Sequence, residues 1–385
     1  MDHDKPITIA AAVALSCIGV FGLLPQPLIV GALQDVLGFS SQQAGLISAA
    51  EVFGAALASV FAAFWIKRVN WRVAALFAIA VVVAGNLLSS FQTSYGALLA
   101  LRGAVGFLGE GTAFAIAISV ISNTRETDRN FAFSIAAQVA FGVATFASLP
   151  FAVASFGLAG IFVPLAGIAI LIAPLLRWLP AHTSRQAAGD ADSSGISIAP
   201  AIIALGILLI WCIGLGGIYA FEERIGVAGG LEPTTVGSAL AVAVAIGFLG
   251  AMAASWVADR WGRILPVSVA LLAQVGAIAL LQGELSWTQF AVTASVFHFF
   301  WNFTGPYLMG MVATSDPTGR IAVLMPAAQT GGFAVGTALA GNLMTGGSIT
   351  AANAVAIGGC LIALVIFIPA ALTAARRKDS APAGA

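Results

Sequence analysis

The sequence predicts an all-α integral membrane protein of twelve transmembrane helices, arranged as two pseudo-symmetric six-helix bundles. Three observations predict it. Hydrophobic residues make up 60% of the 385 and charged residues only 8%, whereas a soluble domain carries about 25% charge. That excludes a large soluble α/β protein. Twelve mostly apolar runs follow one another, each near the ~20 residues a helix needs to cross a bilayer. The two halves of the chain also repeat one another at an offset of 191 or 192 residues.

The runs are 7–31, 44–66, 73–94, 96–122, 131–153, 156–176, 197–221, 235–257, 264–283, 288–313, 321–344 and 350–373, and ten of them contain no Asp, Glu, Lys or Arg. Backbone in lipid must satisfy its own hydrogen bonds, so these runs are helices rather than open strands. The 43 glycines serve mainly to let helices approach closely. The start, MDHDKP, is acidic and lacks a cleavage site, so no signal peptide is expected.

Cytoplasmic loops collect Lys and Arg. With the N-terminus inside and strict alternation, 14 of the 16 basic residues fall on the cytoplasmic face, all but Arg102 and Arg224. Both termini are therefore expected in the cytoplasm, with the protein in the plasma (inner) membrane. The small, polar stretch at 181–196, AHTSRQAAGDADSSGI, reads as a flexible linker. It divides an N-terminal bundle (1–180) from a C-terminal one (197–385). Gly38-Phe39 and Gly45 recur as Gly230-Leu231 and Gly237. AAFWIKRVNWR (62–72) recurs as AASWVADRWGR (253–263), and Arg129 as Arg320. Two parallel six-helix repeats form a transporter architecture, with the substrate site near the midplane where they meet.

Other classes fall away. A net charge of zero argues against a nucleic-acid partner. There is no His/Cys cluster of metal-ligand spacing, no phosphate-cradling loop and no nucleophile elbow, so neither a metal nor an enzymatic centre is expected. Cys17, Cys212 and Cys360 lie in separate runs and read as apolar filler. With no nucleotide-binding motif, no cofactor is expected beyond a proton gradient.

WVADRWGR (256–263) gathers Asp259, Arg260 and Arg263 at one cytoplasmic turn. GAMAASWVADRWGR resembles the loop motif of the major facilitator superfamily, Gly-x-x-x-Asp-Arg-x-Gly-Arg, with Gly250 placed further upstream than usual. In the first-half copy Arg68 stands in place of the Asp and Trp71 in place of the Gly. LRGAVGFLGEGTAF resembles the superfamily's Arg-x-x-x-Gly pattern through Arg102 and Gly106, while the fifth run, VAFGVATFASLPF, lacks the antiporter Gly-Pro pair. GGIYAFEERIG and FHFFWNFTGPYLMG resemble a bacterial permease subgroup. The resemblance spans the chain. It implies the superfamily fold, alternating access and a conformational latch at Asp259, Arg260 and Arg263; the same charges also fit an ordinary basic loop.

Ionisable residues inside the membrane are costly and should face protein or a cavity. Glu110 lies at the centre of its run between Gly109 and Gly111 and is the first candidate for a proton carrier, the alternative being a structural ion pair. Arg102 lies eight residues earlier. In a regular helix that is ~80° of rotation and ~12 Å of rise, so the two are expected to line one cavity at different depths without pairing. Arg102 either binds an anion, tunes a carboxylate or caps carbonyls. Glu51, nearer the outer end of its helix, is a second proton-site candidate or a packing acceptor.

Glu222, Glu223 and Arg224 end the seventh run, where charged ends ordinarily reach water. Tyr219 shares a face with Glu222, and together they could form part of an outer gate. His298, Trp301 and Asn302 share a helical face; Trp301, at the 191-residue offset, is the mate of Glu110 and should oppose it across the midplane. Gly305-Pro306 is expected to break or bend that helix. Gln26 and Gln138 are weaker site candidates. Gly332, Gly336 and Gly341 read as a close-packed, sliding surface.

The reading is a secondary active transporter of a small organic solute, monomeric and embedded in lipid, with proton-coupled uptake as the expected mode. Proton-driven efflux of amphipathic compounds, a lipid flippase and a transport-dead sensor are the alternatives.

Overall fold

The computed structural model describes residues 4–182, 198–257, 260–316, 321–344 and 349–379. Among them all regular structure is helical: α1 (Pro6–Ile18), α2 (Gln26–Leu37), α3 (Ser41–Trp65), α4 (Trp71–Ser89), α5 (Tyr95–Ala104), α6 (Gly111–Ser122), α7 (Thr127–Phe156), α8 (Ala159–Ile172), α9 (Ala199–Tyr219), α10 (Glu222–Ala228), α11 (Pro233–Val257), α12 (Ile264–Ala279), α13 (Trp287–Ser315), α14 (Met325–Leu343) and α15 (Thr350–Asp379). A π-helical segment, Val105–Glu110, joins α5 to α6, and a 3-10 turn, Ala173–Trp178, follows α8. Eight helical stretches are long and apolar enough to cross a membrane. α1 and α12 are shorter apolar helices. Most of the expected linker, 183–196, lies outside the described residues.

The twelve apolar runs map onto these helices with two refinements. The first run is not one helix: turns at 19–25 separate α1 from α2, because Pro25 and Pro27 lack the amide protons that would continue it. At the end of the seventh run a break at 220–221 separates α9 from α10, which lies beyond the run. The two interruptions are not repeat-related: at the 191-residue offset 19–25 corresponds to 210–216, inside unbroken α9. In contrast, α13 runs unbroken through Pro306. A proline inside a membrane helix is tolerated where neighbouring groups re-satisfy the backbone, and the expected break is absent.

Hydrogen bonds sort the loops onto two faces. Thr8 Oγ1 donates to Trp178 O (3.1 Å) and Trp71 N–H to Ala181 O (2.8 Å), which places these turns on the face where α1 begins, here the terminal face. Gln42 and Asn342, and Asp35 and Arg224, meet on the opposite, far face. There the halves are pinned together. α3 packs on α14, α7 on α11 and α2 on α10. Glycines make the contacts backbone-close: a Cβ on Gly341 would lie 2.9 Å from Ser41 O, and one on Gly237 2.7 Å from Phe146 O. Gly38 ends α2 with φ 68°, a left-handed turn that favours glycine, and the Ser40/Gln43 capping box starts α3 two residues later. Towards the terminal face the halves separate around a cavity.

Within the N-terminal half, a Cβ on Gly106 would collide with the backbone carbonyl of Glu51. This contact presses α3 against the π-helical segment and fixes Glu51 beside the fourth crossing. Replacing Gly106 by Val should therefore cost about 1–3 kcal/mol of overpacking, read as a lower thermal midpoint in detergent. Gly96→Val, where a Cβ meets open space, should leave that midpoint much nearer the wild-type value.

Candidate functional site

A cavity of about 220 Å³ lies between the halves. Glu110, Phe114 and Gln138 wall it on the N-terminal side, and Trp301, Gln329 and Phe333 on the other. Ser59 and Pro326, near the terminal-face ends of α3 and α14, mark its mouth. Three of the sequence candidates thus line it directly: Glu110, Trp301 and Gln138. Glu110 and Trp301 stand on opposite walls.

Behind Glu110 is a buried cluster. Arg102 and Glu51 are fully buried, and Glu110 is 2% exposed. Arg102 makes a two-pronged contact with Glu51: Nε donates to Oε2 at 3.0 Å, and Nη2 meets Oε1. Nη1 donates to Asn86 Oδ1 at 2.8 Å, and the guanidinium stacks 4.7 Å above the Phe162 ring. Glu110 Oε1 lies 3.7 Å from Arg102 Nη2, and its Oε2 accepts from Gly22 N–H at 3.1 Å. The expectation that Arg102 and Glu110 cannot pair is therefore wrong. The reason is the π-helical segment between them, whose wider turn breaks the α-helical arithmetic. Glu51, for its part, is the primary partner of Arg102.

The cluster holds two carboxyl groups and one guanidinium. In a low-dielectric interior an unbalanced charge is expensive. One proton on the carboxyl pair would make the cluster neutral, and Glu110 is the member of the pair at the cavity wall.

Behind Trp301 lies a second buried group. His298 Nε2 and Glu222 Oε2 are 2.9 Å apart, at 3% and 0% side-chain exposure. Glu222 and Glu223 do not reach water as expected: α10 packs against α2 and α11, and the two carboxyl groups meet His298 and Arg224. Tyr219 packs against both His298 (ring centroids 5.8 Å) and Trp301 (5.1 Å), and its hydroxyl donates to Leu24 O across the halves at 2.6 Å. Phe333 closes the stack 5.2 Å from Trp301. Asn302 turns away: its Nδ2 donates to His298 O and abuts Gly247.

Two glutamine candidates make further polar contacts. Gln26 Nε2 donates to Thr337 Oγ1 (3.2 Å), a tie between the halves. Gln138 joins Ser134 and Ser16 in a hydrogen-bonded row. On the far face Arg224 holds Asp35 with two bonds of 2.6 and 2.7 Å and also Glu223, fastening α10 to α2. Asp259 lies outside the described residues. Arg263 Nη1 donates to Thr314 Oγ1 (2.9 Å), within its own half, and Arg260 stacks over Trp256. Sequence reasoning missed Asn86, Phe162, Asp35 and Phe333. Asn86 and Asp35 had a visible signal, each a polar residue interrupting an apolar stretch; the two phenylalanines had none.

Comparison with known proteins decides the family. The family model of the Major Facilitator Superfamily matches residues 8–332. The chain belongs to the Major Facilitator Superfamily. It is a multi-pass membrane transporter, not an enzyme. No curated protein matches it. Among solved structures it is similar to the nucleoside transporter NupG, with TM-score 0.72 and 12% identity over 95% of this chain and 98% of that one. It is also similar to the POT family transporter PepTSo, with TM-score 0.74 and 10% identity over 98% and 99%. A POT family transporter in complex with a thioalcohol conjugated peptide gives TM-score 0.75 and 11% identity over 96% of each chain. At these identities the likeness is one of fold.

The cluster makes a double-mutant prediction. Arg102→Met leaves buried carboxylates uncompensated and should cost about 3–5 kcal/mol. Adding Glu51→Gln should recover most of that loss in the thermal unfolding of the purified double variant.

Proposed function

We propose that this transporter couples solute uptake to protons by alternating access, with Glu110 as the proton carrier. The observation that carries the reading is the cluster Glu51–Arg102–Glu110, short of neutrality by one proton and bordering the cavity. A proton on Glu110 removes its attraction to Arg102. Its loss restores the charge and rearranges the cavity wall, so occupancy of the cavity and protonation of Glu110 bias one another. Energy then comes from the ion gradient, with no bound cofactor.

The basic residues favour the terminal face as cytoplasmic, in the inner membrane, with both chain ends inside. On that orientation the cavity opens inward while the Asp35–Arg224–Glu223 contact and the α3–α14 glycine seam seal the outside. A monomer contains the whole site. The latch reading of Asp259, Arg260 and Arg263 stays a proposal for the inward-closed state, in which the two cytoplasmic ends would approach.

The walls describe the solute. Trp301, Phe333 and Phe114 offer flat apolar surface, and Gln138, Gln329 and Thr330 offer hydrogen bonds. No unpaired guanidinium faces the cavity among its described lining, which disfavours a strongly anionic cargo. At about 220 Å³ the space is below the ~300–1,000 Å³ typical of drug-sized ligands. This favours a small neutral, cationic or monoanionic molecule over a bulky amphipathic one. The similar folds of a nucleoside transporter and of proton dependent oligopeptide transporters support this use of the architecture.

Proteoliposomes holding a pH-sensitive dye and challenged with a panel of small organic compounds test the reading. Internal acidification by one compound, abolished in Glu110→Gln while that compound still binds, is the expected outcome. Gradient-driven accumulation at wild-type level in Glu110→Gln contradicts it.

A further inference from the structure

We propose that the pocket between the start of α4 and the end of α8 binds the headgroup of an anionic phospholipid in the terminal-face leaflet. The pocket has a volume of about 400 Å³ and is lined by Arg72, Leu76, Ala173, Pro174, Leu176 and Arg177. It lies on the flank of the N-terminal half, and none of its lining residues is shared with the solute cavity.

Its frame is rigid. Arg72 Nε donates to Leu179 O at 2.5 Å, Trp71 N–H donates to Ala181 O at 2.8 Å, and the Trp71 indole N–H donates to Ile66 O at 2.7 Å. The chain leaving α8 is thus tied to the chain entering α4. The Arg177 guanidinium is held 3.8 Å over the Trp178 ring. Two cations are therefore presented to one hollow, and neither makes an ion pair with a carboxylate among the described residues. The N-terminus of α4 adds its partial positive charge at the same point, and exposed Lys67 and Arg68 lie just before it.

A free anion would use only half of this site. The remaining lining is apolar, and above it Val73, Leu76 and Leu171 are exposed on the outer surface of α4 and α8, where acyl chains run. A phosphodiester between the two guanidinium groups with its chains on that surface satisfies both parts. Guanidinium groups also suit a phosphate oxygen pair better than ammonium groups do. The pocket is not an automatic product of the repeat, since the 191-residue counterpart of Arg177 is Ile368, inside unbroken α15.

Native mass spectrometry of the full-length protein offered equal phosphatidylglycerol and phosphatidylcholine tests this. Wild type should retain one phosphatidylglycerol with a preference of roughly 30-fold, the effect of two basic residues at the membrane surface. Arg72→Gln/Arg177→Gln should abolish the preference. Arg177→Gln alone, which removes no backbone hydrogen bond, should reduce it in a protein that melts like wild type. Arg125→Gln, an exposed arginine paired with Asp4, should leave it intact. Equal retention of the two lipids, or an unchanged preference in the double variant, overturns the proposal. So does displacement of the lipid by inorganic phosphate alone, which would make this a free-anion site.

Discussion

A guanidinium buried inside a membrane helix bundle must be balanced where it stands, and the N-terminal half is organised around that constraint. Arg102 is fully buried. Glu51 from α3, Asn86 from α4, Glu110 from the π-helical segment and the Phe162 ring from α8 all converge on it. Four crossings thus share one charge. The glycines that press α3 against the fourth crossing bring the carboxyl groups within reach. The same convergence sets two carboxyl groups against one guanidinium.

The C-terminal half solves the same geometry with different chemistry. At the position related to Glu110 it has Trp301, backed by a buried His298–Glu222 pair and braced by Tyr219 and Phe333. One wall of the cavity is therefore polar and protonatable, and the other is aromatic. Tyr219 reaches across to Leu24, and α10, which carries Glu222, also carries the Arg224 contact to α2. The aromatic wall and the far-face closure are mechanically one unit.

Much of this was legible in the sequence, for physical reasons. Lipid imposes a length and a composition on every crossing, so the helices were visible as runs. The repeat offset paired Glu110 with Trp301, and the two line opposite walls. What failed was local geometry. The arithmetic for Arg102 and Glu110 assumed 3.6 residues per turn, and the π-helical segment has no compositional mark beyond its glycines. Glu222 and Glu223 looked like a helix end at water, because nothing nearby in sequence shows that Glu222 meets His298, 76 residues away. The Pro25 and Pro27 interruption was written in the chain, whereas Pro306, an equally plain signal, produced no break.

The central claim is that the Arg102 cluster carries one proton when the far face is closed. Infrared spectroscopy of the purified transporter reads it directly, through the C=O stretch of a protonated carboxyl group. The account predicts one such band at neutral pH, absent from Glu110→Gln. A wild-type spectrum with no protonated carboxyl, or a band that persists unchanged in Glu110→Gln, would contradict it.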